Sequence, residues 1–434
     1  MPSHPPDAAR DAENRWIQAE PTHTPLSVEE YRARILAELV PLPASPMPLL
    51  DTLGLTSVGD LAALVSLPSF DNSSMDGYAV AWEDVKDASA ERPVVLPVVG
   101  ENAAGAATLL ALAPGTAAKI MTGAPLPVGA DTVVPYESTD RGVASVRIEV
   151  VPQRVGHFVR PEGDDVELGD LVLPAGTRIG PRHLGLLAAT GHASVPARPR
   201  PRVVVISTGS ELREPGQPLG PDSIYDANSY LLAGAAKAAG AIAYRVGLVP
   251  DQPDAFLEAL DDQLVRADLV VTSGGVSVGD YDVVKEALRG RGVWFGPLAM
   301  QPGKPQGFGY VGPDRTPLLA LPGNPVSAWI SFQLFVRPAL RRLQGIFPEE
   351  PVTTTARLTE AITSIPGKRQ FLRAMVGPAD EATAGRGALA ATPAGGPGSH
   401  LLGDLALATG LIVVPEETTA LPAGAEVEVL RFDD

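Results

Sequence analysis

Residues 272–284, TSGGVSVGDYDVV, place Ser273, Gly274, Gly275, Ser277 and Gly279 just ahead of Asp280, Tyr281 and Asp282. Glycines in pairs let a backbone turn approach a ligand with no Cβ in the way, and successive N–H groups of such a turn cradle an anion. Carboxylates directly after that nest suit a phosphate bound beside a divalent cation. The competing reading is a tight turn before a helix, with Asp280 or Asp282 only capping VVKEAL.

Other segments repeat that shape. In STGSEL (207–212) the apolar run VVVIS ends in a glycine turn and Glu211, a carboxylate suited to a metal or a hydroxyl, or simply a turn residue in solvent. In YDANSYLL (225–232), Asp226 or Asn228 caps the following helix, with ligand contact the second reading. Lys304 stands between glycine and proline in QPGKPQGFG (301–309), a stiff loop that suits an oxyanion contact. LPGNPVSAWISF (321–332) sets Pro322 and Pro325 around Gly323 and Asn324 and then starts a helix, whose first N–H groups make an anion site. DNSSMDGYAV (71–80) and IMTGAPLPVGADTVVPYE (120–137) bring Asp76 and Thr122, each a loop by itself and suggestive together. No phosphate-binding P-loop, no Gly-x-Gly-x-x-Gly after the first strand and no Gly-x-Ser-x-Gly occurs, so kinase, nicotinamide-dehydrogenase and α/β-hydrolase readings lack their signatures.

The elements that must position these residues fall into blocks. From Ser27, SVEEYRARILAELV opens with a capping-box pattern, Glu30 three residues on, and ends at Pro41. Between residues 94 and 170, short apolar runs alternate with Gly, Pro and Asp turns, which predicts a small β-rich domain. Prolines in ARPRPR (197–202) mark a linker. Strands and helices then alternate to about residue 343, predicting a parallel sheet covered on both faces, with the Gly-rich and polar residues at the strand ends where ligands bind in such sheets. From about residue 351 short strands return, as in a small β-barrel or sandwich.

A chain of 434 residues is expected to form two to four domains, and its 44 glycines and 44 prolines point to many turns. A formal charge of −17 repels phosphate backbones and anionic lipid, which argues against nucleic-acid and membrane-surface roles. The absence of cysteine removes disulfides, thiolate metal sites and cysteine nucleophiles, and six scattered histidines make no zinc site. Residues 1–25 are polar and proline-rich and read as a disordered extension; with no membrane-length apolar stretch, a cytoplasmic protein is expected.

Together these strings resemble the MoeA family, the molybdopterin molybdenumtransferases, whose relatives include the E domain of gephyrin. DNSSMDGYAV, IMTGAPLP, GADTVVPYE, STGSEL, YDANSYLL, TSGGVSVGDYD, PGKPQGFG, LPGNPVSA and GSHLL occur in family order over about residues 27–434. The resemblance implies a multi-domain α/β fold: a discontinuous linker and dimerisation region (26–68 and 165–198), a β-rich lobe (69–164), an α/β molybdopterin-binding domain like the molybdopterin adenylyltransferases (199–345) and a C-terminal β-barrel (346–434). It implies a homodimer with its site between subunits, and a reaction in which adenylylated molybdopterin and molybdate yield AMP and the molybdenum-bearing dithiolene, supported by Mg²⁺. A molybdopterin adenylyltransferase is the implied partner.

Carried over by motif, Asp76, Thr122, Glu211, Asp251 and Asp282 take catalytic roles, Glu211 and Asp282 among them as metal ligands. Ser273, Gly274, Gly275, Ser277, Gly279 and Asp280 form the nucleotide and phosphate nest. Lys304, Pro322, Asn324 and Pro325 border the molybdate and pterin pocket, completed by Ser399 and by Arg369 or Arg373. Gln301-Pro302-Gly303 stands where many relatives have Lys-Pro-Gly, and a neutral amide holds an oxyanion more weakly than an ammonium does. The competing readings are an adenylyltransferase, which shares the α/β domain, and a non-catalytic scaffold.

Overall fold

The computed structural model describes residues 15–18, 24–103, 105, 110–150, 153–276, 282–379 and 387–432. They form two compact units, Pro46–Ala197 and the combination of Met1–Ser45 with Arg198–Asp434.

The larger unit is built on a six-stranded sheet. Its strands are Arg202–Ser207, Ile242–Arg245, Leu269–Ser273, Val293–Pro297, Pro305–Val311 and Thr316–Leu321. Their spatial order starts at Ile242–Arg245 and runs through Arg202–Ser207, Leu269–Ser273, Thr316–Leu321 and Pro305–Val311 to Val293–Pro297. The first four are parallel, as expected. The last two pairings are antiparallel, because the connections 298–304 and 312–315 that join these consecutive strands are too short for a crossover.

Burial on both faces explains the continuous apolar runs VVVI and LVV. Side chains alternate across the sheet: Val203 and Val205 join Leu232 and Ala236 of helix Asn228–Ala238 on one face. Val204 and Ile206 join Phe256 and Leu260 of helix Pro253–Leu264 on the other. A longer helical run covers Pro325–Ser331, a π-helical turn Phe332–Val336 and Arg337–Gln344. The π turn lies just before Pro338, which has no N–H to donate and whose ring crowds the carbonyl four residues back.

Helix Val28–Glu38 belongs to this unit, capped by a hydrogen bond from Glu30 N to Ser27 Oγ (3.0 Å). Its buried Val28, Tyr31 and Ile35 sit in the same core as Val203, and the compact unit that holds them runs to Ser45. Within the expected extension 1–25, Arg15–Gln18 forms a helical turn. Trp16 stacks on Phe308 (centroids 5.8 Å, planes 5° apart), meets Trp294 at 5.8 Å and donates from Nε1 to Glu38 Oε1 (3.2 Å). A polar, proline-rich composition gave no sign of this docking, which rests on one indole and the buried Ile17. Residues 1–14 and 19–23 lie outside the described residues. Trp16→Ala is expected to destabilise this unit by about 1–3 kcal/mol, below the roughly 3–5 of a fully buried indole, in a calorimetric scan.

The same unit closes its C-terminal part into a five-stranded barrel, settling barrel against sandwich. Arg369–Pro378 pairs with Leu389–Pro393, which pairs with Thr353–Leu358, then Glu426–Arg431, then Gly410–Val414, which returns to Arg369–Pro378. Ala374, Ile412, Val414, Val427 and Val429 fill its interior.

The smaller unit holds a five-stranded sheet in the order Thr132–Pro135, Gly77–Val80, Ala117–Ile120, Val94–Asn102 and Ser145–Ile148. Tyr78, Val80, Val134, Val146 and Ile148 form its core. A second core joins Leu55 and Ala63 to Val172, Leu173, Leu187 and Val195, so two stretches distant in sequence fold together.

Candidate active site

The parallel strands of the larger unit end on one edge, and the turns that follow them surround a cleft of about 780 Å³. That volume is in the range of small-molecule and cofactor sites, and the edge is where open α/β sheets bind ligands.

After Arg202–Ser207, the chain turns through Thr208 and Gly209 to Glu211. The Glu211 carboxylate folds back over this turn, where a Cβ on Gly209 would fall 2.8 Å from Glu211 Oε1 and push the side chain aside. Asp251 braces that turn: its Oδ2 accepts from Ser210 N (2.8 Å), and its own N–H donates to Ser210 Oγ (3.3 Å). After Leu269–Ser273 come Gly274 and Gly275, both at positive φ (97° and 64°). Substitution is blocked there by backbone as well, since a Cβ would lie 3.0 Å from Thr208 O at Gly274 and 2.9 Å from Val284 N at Gly275. Asp282 occupies the N-cap position of helix Val283–Leu288, and its side chain makes no capping hydrogen bond. The capping explanation of this aspartate therefore fails, and it lines the cleft.

The opposite wall comes from 301–305 and 322–325. Gly303 turns at φ 102°, and Gln306 Nε2 fixes the loop by donating to Gly303 O (2.7 Å) and Ser331 Oγ (2.6 Å), which presents Lys304 to the cleft. Asn324 Nδ2 donates to Ser399 Oγ (2.9 Å), bringing the loop after Leu389–Pro393 to the same wall. Val326 N, one of the N–H groups expected to meet an anion, donates to Ser399 O (3.1 Å) instead.

Of the residues singled out from sequence, Glu211, Asp251, Ser273, Gly274, Gly275, Asp282, Lys304, Pro322, Asn324, Pro325 and Ser399 line this one cleft. Ser277, Gly279 and Asp280 lie outside the described residues. Arg369 and Arg373 are not among its lining residues. Arg369 pairs with Glu29 and with Glu416 (3.2 Å). Arg373 is buried and gives its donors to the carbonyls of Gly396, Gly398 (3.0 Å) and Ala394 (3.5 Å), folding the Gly-rich loop. Burial lowers its pKa from the usual arginine value. Asp76 and Thr122 meet in the smaller unit, where Thr122 donates from both N and Oγ1 to Asp76 Oδ1 (2.7 Å each). Those two hydrogen bonds hold the exposed carboxyl below its ordinary pKa, since they favour the charged form.

Thr208, Tyr225, Asp226, Asn228 and His400 also line the cleft. Sequence reasoning named Asp226 and Asn228 as caps first. Their position directly after a strand-like IY pair was the available signal.

Among the described residues no group of three His, Cys, Asp or Glu side chains is placed to hold a metal by itself. A Mg²⁺ ion normally takes only one or two carboxylates and completes its shell with water and substrate phosphate, so Glu211 and Asp282 on one cleft fit that pattern.

Known proteins match over nearly the whole chain. Family models described as "MoeA N-terminal region (domain I and II)", "Probable molybdopterin binding domain" and "MoeA C-terminal region (domain IV)" match residues 26–191, 204–342 and 355–432. Molybdopterin molybdenumtransferase 2 of Mycobacterium tuberculosis is 46% identical over 416 residues, covering 93% of this chain and 98% of that protein. Molybdopterin molybdenumtransferase of Nostoc is 36% identical, covering 94% and 95%. The crystal structure of a molybdopterin biosynthesis MoeA protein from Pyrococcus horikosii aligns with TM-score 0.79 at 31% identity, covering 95% of this chain and all of that one.

Proposed function

The chain belongs to the MoeA family, and from that membership we propose that it takes adenylylated molybdopterin and molybdate, cleaves the pyrophosphate link, releases AMP and leaves molybdenum on the dithiolene. It is an enzyme of molybdenum-cofactor biosynthesis, a molybdopterin molybdenumtransferase. One observation carries the reaction: the cleft joins a glycine turn and acidic side chains on one wall to a lysine and a polar turn on the other. A phosphate anhydride and a tetrahedral oxyanion require those two walls.

On the first wall, the Gly274 N–H is used by Leu321 O (3.1 Å), so the phosphate cradle starts at the amide of Gly275. Glu211 and Asp282 would hold Mg²⁺, which when bound supplies positive charge against the phosphate oxygens. Asp251 keeps the Glu211 turn in place through Ser210. On the second wall, Ser399 Oγ accepts from Asn324, which leaves its hydroxyl proton to donate to molybdate beside the Lys304 ammonium. Gln301 lines the same wall as a neutral amide. Lys304→Ala is expected to raise the KM for molybdate about tenfold and Gln301→Lys to lower it by a similar factor, the weight of one charge-assisted hydrogen bond. Steady-state AMP release at varied molybdate measures both.

We further place the reaction in the cytoplasm, in a homodimer whose β-rich lobe, bearing Asp76 and Thr122, completes the cleft of the partner subunit. The four-part domain division and a molybdopterin adenylyltransferase that supplies the substrate belong to the same proposal. The test is AMP release from adenylylated molybdopterin by the purified protein. Release that needs molybdate supports the reading, and a native protein that releases none removes it.

A further inference from the structure

We propose that Asn228 is a positioning residue for this reaction, its side-chain amide setting the distance between the glycine turn that receives the phosphates and the 322–325 turn that receives molybdate. The functional reading above supplies only the identity of the two ligands.

Asn228 opens helix Asn228–Ala238 and lines the cleft. Its Nδ2 donates to Ser273 Oγ (2.8 Å) and to Gly323 O (2.6 Å). An amide has two N–H donors, and here they go to the ends of two neighbouring strands. Ser273 Oγ closes the circuit by donating to Pro322 O (3.4 Å). The Ser273 hydroxyl thus helps tie the two strand ends together. Capping falls to Asp226, whose carboxylate accepts from Ser229 N (3.0 Å) and Ser229 Oγ. Asn228 is therefore not needed to start its own helix.

Sheet pairing holds the two strands together as far as the Gly274 N–H on Leu321 O (3.1 Å), and beyond that point the Asn228 amide carries the link to Gly323. A Cβ on Gly323 would sit 3.4 Å from the Gly274 Cα. Gly274 and Gly323 meet backbone to backbone, and the Asn228 amide, with the Ser273 hydroxyl, bridges the two strand ends. Aspartate has the same shape but no N–H. In its place Gly323 O would face a carboxylate, and that bridge would be lost.

Group transfer between two bound ligands depends on their relative placement, and an error of about 1 Å costs on the order of a hundredfold in rate. Binding of either ligand alone does not depend on that placement. The experiment compares the native full-length chain with Asn228→Asp and Asn228→Ala. Calorimetry measures AMP and molybdate binding singly and together, and turnover is followed by AMP release. We expect kcat to fall at least about tenfold, with each ligand alone bound within about threefold of native. The dependence of one ligand's affinity on the other should disappear. Turnover within about twofold of native in Asn228→Asp would overturn the proposal. So would parallel loss of both single-ligand affinities together with a lowered Tm, the mark of a merely structural role. Should the native protein release no AMP, the reaction itself is misread, and the two-ligand calorimetry still decides the role of Asn228.

Discussion

Replacing Asp282 with asparagine lowers the maximal rate of AMP release by roughly two to three orders of magnitude, the usual cost of removing one group that stabilises charge on a reacting oxyanion. Asparagine keeps the shape of the side chain, and the aspartate makes no side-chain capping hydrogen bond that could be lost, so helix Val283–Leu288 is retained and the Tm stays near native. The negative charge is what changes: a hard divalent cation prefers a carboxylate oxygen to an amide. Steady-state kinetics beside a calorimetric scan checks both halves of the statement. More than about a tenth of the native rate in Asp282→Asn would remove this residue from the chemistry.

Gly275→Ala is expected to have the second large effect. At φ 64° an alanine costs about 1–2 kcal/mol by itself. Its Cβ would also lie 2.9 Å from Val284 N, a backbone atom of the helix that Asp282 heads, and Lys285 N already donates to Gly275 O (3.1 Å). The turn and the helix must then move apart, carrying the phosphate cradle away from the carboxylate, and a loss near a hundredfold in turnover follows from a shift of about 1 Å. Gly290→Ala is the control, with a similar φ of 70° and nothing within 4 Å of the added Cβ. It bears the backbone cost alone and leaves turnover unchanged. Equal turnover in the two variants would show that the close approach at Gly275 does not shape the site.

Local pattern explains what could be read from the sequence. Runs such as VVVIS are buried on both faces, and glycines at strand ends are dictated by contacts within a few residues, so both announce themselves in the string. Glu211, Gly275 and Asp282 were legible for that reason. The bridging role of Asn228 was not, because its two partners lie 45 and 95 residues away and only the folded sheet brings them together. Arg373 looked like a cation available to an anion until the loop 394–398 closed over it with three carbonyls. Trp16 sits in a segment whose composition argues for disorder, and its ring neighbours Trp294 and Phe308 are nearly 300 residues further along the chain. In each case the decisive contact is long-range, and charge or composition alone pointed elsewhere.

The most direct test of the account is the amount of AMP released from adenylylated molybdopterin by the native protein, with molybdate and Mg²⁺ supplied together and each withheld in turn. The account predicts release only when both are present, with the dithiolene product carrying molybdenum. Release at the same rate without molybdate, or none under any condition from a folded protein, would contradict it.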